Sequence, residues 1–234
     1  VKSTPAVLGE YPYVVSIWYR YNHICSGTLY DLTHVITAAH CVYGTEPSKL
    51  SVLGGVVDFV NNEKAWFPVT SYIIHPAFGT RKIVNIDITY YHDDIAVIKL
   101  GEFCIFAYYV YPATFNFHEQ QEQNELFHRS GPYQIVGWKS HFVNGRSVLR
   151  LESQNITFFV HPLYSHVYVL EPVDKDWSVD VVTGMQNSGT PILSNGEVIA
   201  IVTGNRPPEG HNWTMLLKIW KYKHFIEETV IENY

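Results

Sequence analysis

The sequence has little charge, no block of one sign and no long apolar run. Asp, Glu, Lys and Arg together make up 16% of its 234 residues. The formal net charge is -6, which disfavours nucleic-acid binding because such proteins present clustered basic residues to phosphates. No apolar stretch approaches the roughly 20 residues that cross a bilayer, so no membrane span is expected.

Cysteine is also scarce, with three residues in the chain. At most one intrachain disulfide can form, which leaves one thiol over. The chain begins at Val1 without an initiator Met or an apolar leader, and we expect a mature, secreted product. Asn155 and Asn212 are each followed two residues later by Thr, which predicts two glycosylation sites and agrees with secretion.

Apolar and aromatic residues are abundant, at 47% and 15% of the sequence. That content is enough for a substantial core and argues against disorder. β-Branched and aromatic residues concentrate in many short runs, such as residues 13–20 and 95–100, with turn residues between them. Apolar residues at positions 222–230 instead recur at three- and four-residue steps. The pattern predicts an all-β chain closed by one helix from about Lys221.

Two segments place a histidine and an acid where they could act together. A strand ends in Ala38, Ala39 and His40, and the two small residues leave the imidazole exposed at the strand end. Asp94 stands directly before an apolar strand, where a carboxylate can be buried and still face a histidine from another strand. Each residue alone also fits a structural role, as a satisfied histidine or a strand-end cap.

A third segment adds a candidate nucleophile, Ser188, between Asn187 and Gly189. Turn formers on both sides can expose the serine hydroxyl on a sharp loop, although alone the run fits an ordinary loop. A nucleophilic serine needs a base to take its proton, and the base needs an acid to orient it. The chain order His, Asp, Ser is one of the known solutions.

These segments resemble the hallmarks of the trypsin-like (chymotrypsin-fold) serine protease family. TAAHC at residues 37–41 is intact, DIAV follows at 94–97, and QNSGTP occupies 186–191. The resemblance covers nearly the whole chain. It implies an all-β fold of two packed antiparallel six-stranded β-barrels with a C-terminal α-helix. The N-terminal barrel would span residues 1–113, and residues 114–234 would form the second barrel and the helix.

The resemblance also implies roles for individual residues. His40 would be the general base, Asp94 its orienting acid and Ser188 the nucleophile. The backbone N–H groups of Gln186 and Ser188 would form the oxyanion hole. Cys25 and Cys41 match the family's bridge beside the histidine. No cofactor and no metal are expected.

Two departures from the family pattern concern activation and the oxyanion hole. Family members usually bury a new N-terminal amine against an Asp just before the nucleophile, and here Asn187 takes that place. The N-terminal sequence, which begins Val1, Lys2, also departs from the family's usual start. Gln186 stands where the family has Gly, and its side chain would twist or crowd the oxyanion hole.

Further departures lie in the specificity pocket. Val182 aligns with its floor, which gives no basis for a preference for Lys or Arg. Asn205 and Thr214 take positions where the family usually has Gly and would make the pocket shallow or closed. Thr203 replaces a Ser that commonly supports the triad acid.

Cross-links are also reduced relative to the family. Tyr133 and Ser194 stand where the family commonly has a second bridge. Cys104 has no family partner, and we interpret it as a small buried apolar residue rather than an intermolecular bridge.

Together these features predict a secreted serine protease homologue with an intact His-Asp-Ser triad but an impaired oxyanion hole, activation pair and specificity pocket. We expect such a pseudoenzyme to act by binding or regulating a protein or peptide partner. The alternative is an active serine endopeptidase with non-standard activation and a preference for small, non-basic residues. A storage or structural role has no positive support in the sequence.

Overall fold

A computed structural model describes most of the chain, and antiparallel strands dominate the described part. None of the helices in this part is long and apolar enough to cross a membrane. The described residues are 3–60, 64–82, 89–102, 109–118, 129–160, 167–170, 185–203 and 214–232.

The first half of the chain forms a closed barrel. The strands in this half of the chain are β1 (Thr4–Pro5), β2 (Val14–Tyr19), β3 (Asn22–Leu29), β4 (His34–Thr37), β5 (Leu50–Gly54), β6 (Ala65–Ile74), β7 (Gly79–Lys82), β8 (Thr89–His92) and β9 (Ala96–Leu100). Six of them close the barrel in the order β2-β3-β4-β9-β6-β5, while β7 and β8 pair with each other outside it.

The second half forms a ring of six antiparallel strands. Its strands are β10 (Arg129–Val143), β11 (Arg146–Val160), β12 (Val167–Leu170), β13 (Pro191–Ser194), β14 (Glu197–Val202) and β15 (Thr214–Lys218). The order is β11-β10-β13-β14-β15-β12, and pairing of β12 with β11 closes the ring. β1 adds to β11 and so ties the start of the chain to the second barrel.

Two α-helices complete the described part, α1 (Ala39–Val42) and α2 (Lys223–Glu232). The predicted all-β fold with a closing C-terminal helix is therefore confirmed. The family fold is also confirmed, with the second barrel closed through the β11–β12 pairing. The predicted domain boundary at residues 113/114 falls between β9 and β10 and stays a prediction.

Strands β10 and β11, of 15 residues each, form one long hairpin. They meet in a two-residue turn at Asn144 and Gly145, whose φ angles of 49° and 76° suit a tight hairpin and let pairing continue along both strands. The polar stretch 118–130 is the linker between the two halves that the sequence favours, but residues 129 and 130 belong to β10. Residues 119–128 of that linker lie outside the described part.

One cluster of buried apolar residues joins the two barrels and α2. Full burial of one such side chain contributes about 1.5–3 kcal/mol. The residues come from β4, from β9 and the position just before it, from β12, β14 and β15, and from α2: Ile36, Ile95, Val97, Val167, Val169, Ile201, Met215, Leu217, Ile226 and Val230. His40 follows β4 and Asp94 precedes β9, two strands that contribute to this cluster.

Candidate active site

His40 and Asp94 form a tight pair at the ends of two neighbouring strands of the first barrel, since His40 lies in α1 after β4 and Asp94 comes just before β9. His40 Nδ1 lies 2.7 Å from Asp94 Oδ2, and the backbone N–H of His40 donates to Asp94 Oδ1 at 2.8 Å. The carboxylate is 1% exposed and the imidazole 10%. Because a carboxylate only accepts, the neutral imidazole carries its proton on Nδ1 and leaves Nε2 free to accept one. That is the tautomer a general base requires.

A disulfide between Cys25 and Cys41 fixes the turn that carries His40. The two Cα atoms are 6.0 Å apart, and the bond ties β3 to α1. A disulfide that closes a loop of this length stabilises a fold by about 3 kcal/mol. The bond joins the two cysteines that match the family's bridge in the sequence. His40 Nε2 lies 3.8 Å from Cys41 Sγ, and since both sulfurs are oxidised neither offers a thiolate to a metal.

Ser188 follows a 3-10 turn, Met185–Asn187, and is completely buried. Its backbone oxygen accepts a hydrogen bond from the N–H of Ser26 in β3 at 2.8 Å, so the loop of the second barrel rests on the first. The Ser188 hydroxyl makes no hydrogen bond within the part of the chain that the structure describes. Within the predicted triad, His40 and Asp94 are thus hydrogen-bonded to each other, whereas the contact between Ser188 and His40 stays a prediction.

Gly189 shows how closely this loop approaches the first barrel. Its φ is +86°, and a Cβ there would lie 2.1 Å from the backbone oxygen of Ser26 and 2.5 Å from Thr37 Oγ1. Glycine is the residue that satisfies both the backbone conformation and the contact. The position of Ser188 is therefore set by backbone packing between the barrels.

Asn187 is buried and held by the backbone of a single residue, Trp138. The N–H of Trp138 donates to Asn187 Oδ1 at 2.8 Å, and Asn187 Nδ2 donates to the Trp138 oxygen at 3.0 Å. A neutral carboxamide matches one donor and one acceptor, whereas a carboxylate matches only the donor. Asn187 departs from the family pattern, but its carboxamide is thus the group that fits the Trp138 backbone.

His23, which the sequence did not single out, packs beside the same loop. Its Nδ1 lies 2.7 Å from the hydroxyl of buried Ser16. Burial lowers the pKa of His23 to about 4, and its contact with the Gln186 backbone opposes that shift. Ser26 Oγ donates to the Gln186 oxygen at 3.1 Å, while the Gln186 side chain is exposed. The role of the Gln186 and Ser188 N–H groups as oxyanion donors stays a prediction.

Tyr91 is a second residue that sequence reasoning missed. Its ring stacks on the His40 imidazole with centroids 5.3 Å apart and 7° between planes, and Phe78 stacks on Tyr91 at 5.6 Å. The β7–β8 hairpin places the tyrosine there. The ring covers one face of the candidate base, and the tyrosine stays 38% exposed.

The predicted pocket residues are only partly within the described chain. Thr203 is buried, and both its N–H and its hydroxyl donate to the Met215 oxygen, at 3.0 and 3.3 Å. Thr214 begins β15 and is 7% exposed. Val182 and Asn205 lie outside the described residues, so the shape of the pocket stays a prediction.

The remaining predictions have mixed outcomes. Tyr133 and Ser194 face each other across β10 and β13, so the pair predicted to lack a bridge does occupy adjacent positions. Asn155 is exposed on β11. Asn212 and Cys104 lie outside the described residues.

The two-barrel fold and the buried His–Asp pair at the barrel interface define a protein of the serine protease class. The family model described as Trypsin matches residues 1–226. The chain therefore belongs to the trypsin family.

Relatives and solved structures agree with this assignment. The chain is 34% identical to venom serine protease Bi-VSP of Bombus ignitus over 60% of this chain and 39% of that protein. It is 34% identical to Trypsin-1 of Astacus astacus over 43% of each. It therefore spans about two fifths of the length of these two relatives. Chymotrypsin-2 of Vespa crabro is 23% identical over 97% of this chain and 98% of that protein.

Two solved structures share the fold across nearly the whole chain. A mutant of human heparin binding protein has a TM-score of 0.73 at 19% identity, covering 98% of this chain and 96% of that one. Neuropsin, a serine protease of mouse brain, has a TM-score of 0.71 at 17% identity, covering 98% and 99%.

Proposed function

We propose that this chain acts mainly by binding a protein or peptide partner and hydrolyses peptide bonds weakly or not at all. The observation that carries the proposal is the neutral, fully hydrogen-bonded contact of Asn187 with Trp138. No charge is present at this side chain to pair with a buried amine. The usual activation of the family, which depends on such a pair, would have no counterpart here.

The geometry around Ser188 supports the same proposal. Its hydroxyl is buried and makes no hydrogen bond among the described residues, so the described contacts do not activate it. Gln186 adds a side chain where the family pattern has none. Loss of one oxyanion donor alone lowers the rate by roughly two to three powers of ten. A joined acid and base therefore do not suffice for efficient hydrolysis.

An active serine endopeptidase is the second candidate. The pair of His40 and Asp94 favours it, because the orienting acid is buried and the base keeps the required tautomer. Val182 and Thr214 would then favour small, non-basic side chains in the substrate.

The proposal places the protein outside the cell. A disulfide persists in oxidising compartments, and Asn155 is exposed and so accessible for glycosylation. One solved structure with this fold is that of a protein called heparin binding protein, so at least one protein with this fold is named for binding.

A peptide library separates the two candidates. The purified chain and its Ser188→Ala variant are incubated with a broad library, and cleavage is followed by mass spectrometry. The proposal expects equal, background cleavage in both. Efficient cleavage that disappears in the variant would contradict it and establish the endopeptidase. A Gln186→Gly variant that gains cleavage would locate the defect in the oxyanion loop.

A further inference from the structure

Three cavities on the surface adjoin one another through shared lining residues, beside the loop that carries Ser188. The first, of about 740 Å³, shares Trp18 and Tyr21 with a middle cavity of about 550 Å³. The middle cavity shares Val60 and Val148 with an outer one of about 610 Å³. Gln186 lines the middle cavity. We call the surface formed by these three adjoining cavities the Trp18 trough.

Aromatic rings form the apolar part of the Trp18 trough. The Trp18 ring packs edge-on against Trp66 at 5.4 Å and against Phe59 at 5.2 Å. Trp66 remains 44% exposed even though it lies in this cluster. Exposed aromatic residues at a concave surface are the side chains that most often dominate protein–protein binding energy. A volume of 740 Å³ also falls within the range of ligand-binding cavities.

The hairpin between β2 and β3 presents two more residues of this kind. Arg20 and Tyr21 occupy its tip with φ angles of 55° and 111°, a region that non-glycine residues rarely adopt. Tyr21 is 96% exposed. A two-residue hairpin turn takes positive φ at its central positions, so an arginine and a tyrosine there carry a cost that asparagine or glycine would avoid. The strained tip holds an arginine and a tyrosine at the rim of the Trp18 trough.

The trough is cationic, although the whole chain has a net charge of -6. The Arg20 guanidinium lies over the Tyr19 ring at 5.4 Å and forms no ion pair with a carboxylate among the described residues. Glu46 pairs with Lys49 at the same end. Among the described residues that line the three cavities, Asp58 is the one carboxylate, against four cations: Arg20, Lys49, Arg146 and Arg150. Because Glu46 offsets the charge of Lys49, the excess of positive charge comes from the three arginines.

We propose that the Trp18 trough binds an extended, acidic peptide segment of a protein partner. An aromatic or aliphatic side chain of the segment occupies the cavity between Trp18 and Trp66. A neighbouring carboxylate pairs with Arg20, whose guanidinium forms no ion pair with a described carboxylate. The inference rests on the proposed function in one respect, which is that the ligand is part of a protein.

The test uses the full chain with Ser188→Ala, so that binding is measured without cleavage. The probes are short fluorescein-labelled peptides of alternating Glu and Tyr, with matched peptides of Gln and Tyr and of Lys and Tyr. Fluorescence anisotropy is expected to show binding of the Glu peptide, weakening with salt. Arg20→Glu and Trp66→Ala are expected to raise its Kd by about tenfold or more.

Matched controls are available on the same molecule. Lys223→Glu reverses an exposed charge on α2, and Tyr111→Ala removes a ring that is 70% exposed outside the trough. Both are expected to leave the Kd unchanged, and circular dichroism verifies that every variant is folded. The inference is overturned if the Lys peptide binds equally well or if Arg20→Glu and Trp66→Ala leave the Kd unchanged. Binding of a sulfated polysaccharide that needs Arg20, with no binding of the Glu peptide, would also overturn it.

The outcome is independent of the peptide library. Cleavage by the unmodified chain would contradict the proposed function and leave the binding measurement on Ser188→Ala intact. Failure of the Glu peptide to bind would contradict the trough and leave the library result unaffected.

Discussion

At the scale of single residues, Asn187 decides how the candidate site is held. Its side chain is buried, with 3% of the residue exposed, and its carboxamide satisfies both the N–H and the oxygen of Trp138. The two residues are 49 positions apart in the sequence. A buried backbone group that loses its partner costs about 1–3 kcal/mol. Asn187 therefore links the loop before Ser188 to β10 through charge-free contacts.

We predict that Asn187→Asp lowers the free energy of unfolding at pH 7 by about 3 kcal/mol, because a buried carboxylate would face the Trp138 oxygen. Burial would raise the pKa of the new carboxyl above its unfolded value. Its protonated form can donate to that oxygen, so the loss should shrink as the pH falls towards 4. Urea unfolding at both pH values measures this. Asn195→Asp, in an exposed turn, is the control, and a stability gain in Asn187→Asp would show that a cation reaches position 187.

His23 gives the site a second dependence on pH. Its pKa of about 4 in the folded chain lies below the ordinary value of 6.5, so between these values the unfolded chain binds the proton and the folded chain does not. Stability is then lost as the pH falls through this window, by about 3 kcal/mol in total. We predict that His23→Gln removes this part of the pH dependence.

The measurement is urea unfolding at several pH values between 7 and 4. His224→Gln provides the control, because the His224 side chain is 87% exposed on α2. Equal pH slopes in His23→Gln and the unmodified chain would show that the imidazole is not buried in its neutral form.

At the scale of elements, the loop before β13 is positioned by its approach to β3. We predict that Gly189→Ala destabilises the fold by more than about 3 kcal/mol, because the new Cβ would meet backbone at 2.1 Å. Gly145→Ala separates the two causes. Its φ of +76° is similar, but nothing lies within 4 Å, so about 1 kcal/mol is expected. Similar losses in both variants, measured by urea unfolding, would mean that the contact with Ser26 is absent.

Elements also differ in how well the sequence predicted them. The strand before His40 and the apolar strand after Asp94 were predicted closely, because short periodic runs and the TAAHC segment fix them locally. The β7–β8 hairpin was missed, and with it the ring of Tyr91 on His40. Its pairing brings together residues about ten positions apart that carry no alternating pattern. Contacts such as Asn187 with Trp138 were equally beyond reach, since they depend on how the loop before β13 packs on β10, 49 residues away in the sequence.

At the scale of the whole molecule, α2 and the segment before it connect the C-terminus to the candidate acid. Tyr222 donates to Asp93 Oδ1 at 2.9 Å, and His92 Nδ1 lies 2.9 Å from Asp93 Oδ2. Asp93 has a φ of 51° and directly precedes Asp94. The end of the chain thus supports the turn that presents the acid to His40.

We predict that Ile226→Ala, in α2, lowers the free energy of unfolding by about 3 kcal/mol, because Ile226 is fully buried among residues of both barrels. Ile231→Ala is the control, since Ile231 is 72% exposed and should change stability by less than about 0.5 kcal/mol. Thermal unfolding followed by near-ultraviolet circular dichroism measures both. Equal effects would mean that α2 does not pack across the barrel interface.

Labelling with a fluorophosphonate probe tests the central claim most directly. The probe reacts with an activated serine and does not require an open specificity pocket. A joined His40–Asp94 pair, with Ser188 unbonded and Asn187 neutral, predicts little or no labelling of the purified chain. Its signal should equal that of Ser188→Ala. Stoichiometric labelling that disappears in Ser188→Ala would contradict the account and show that the triad is active.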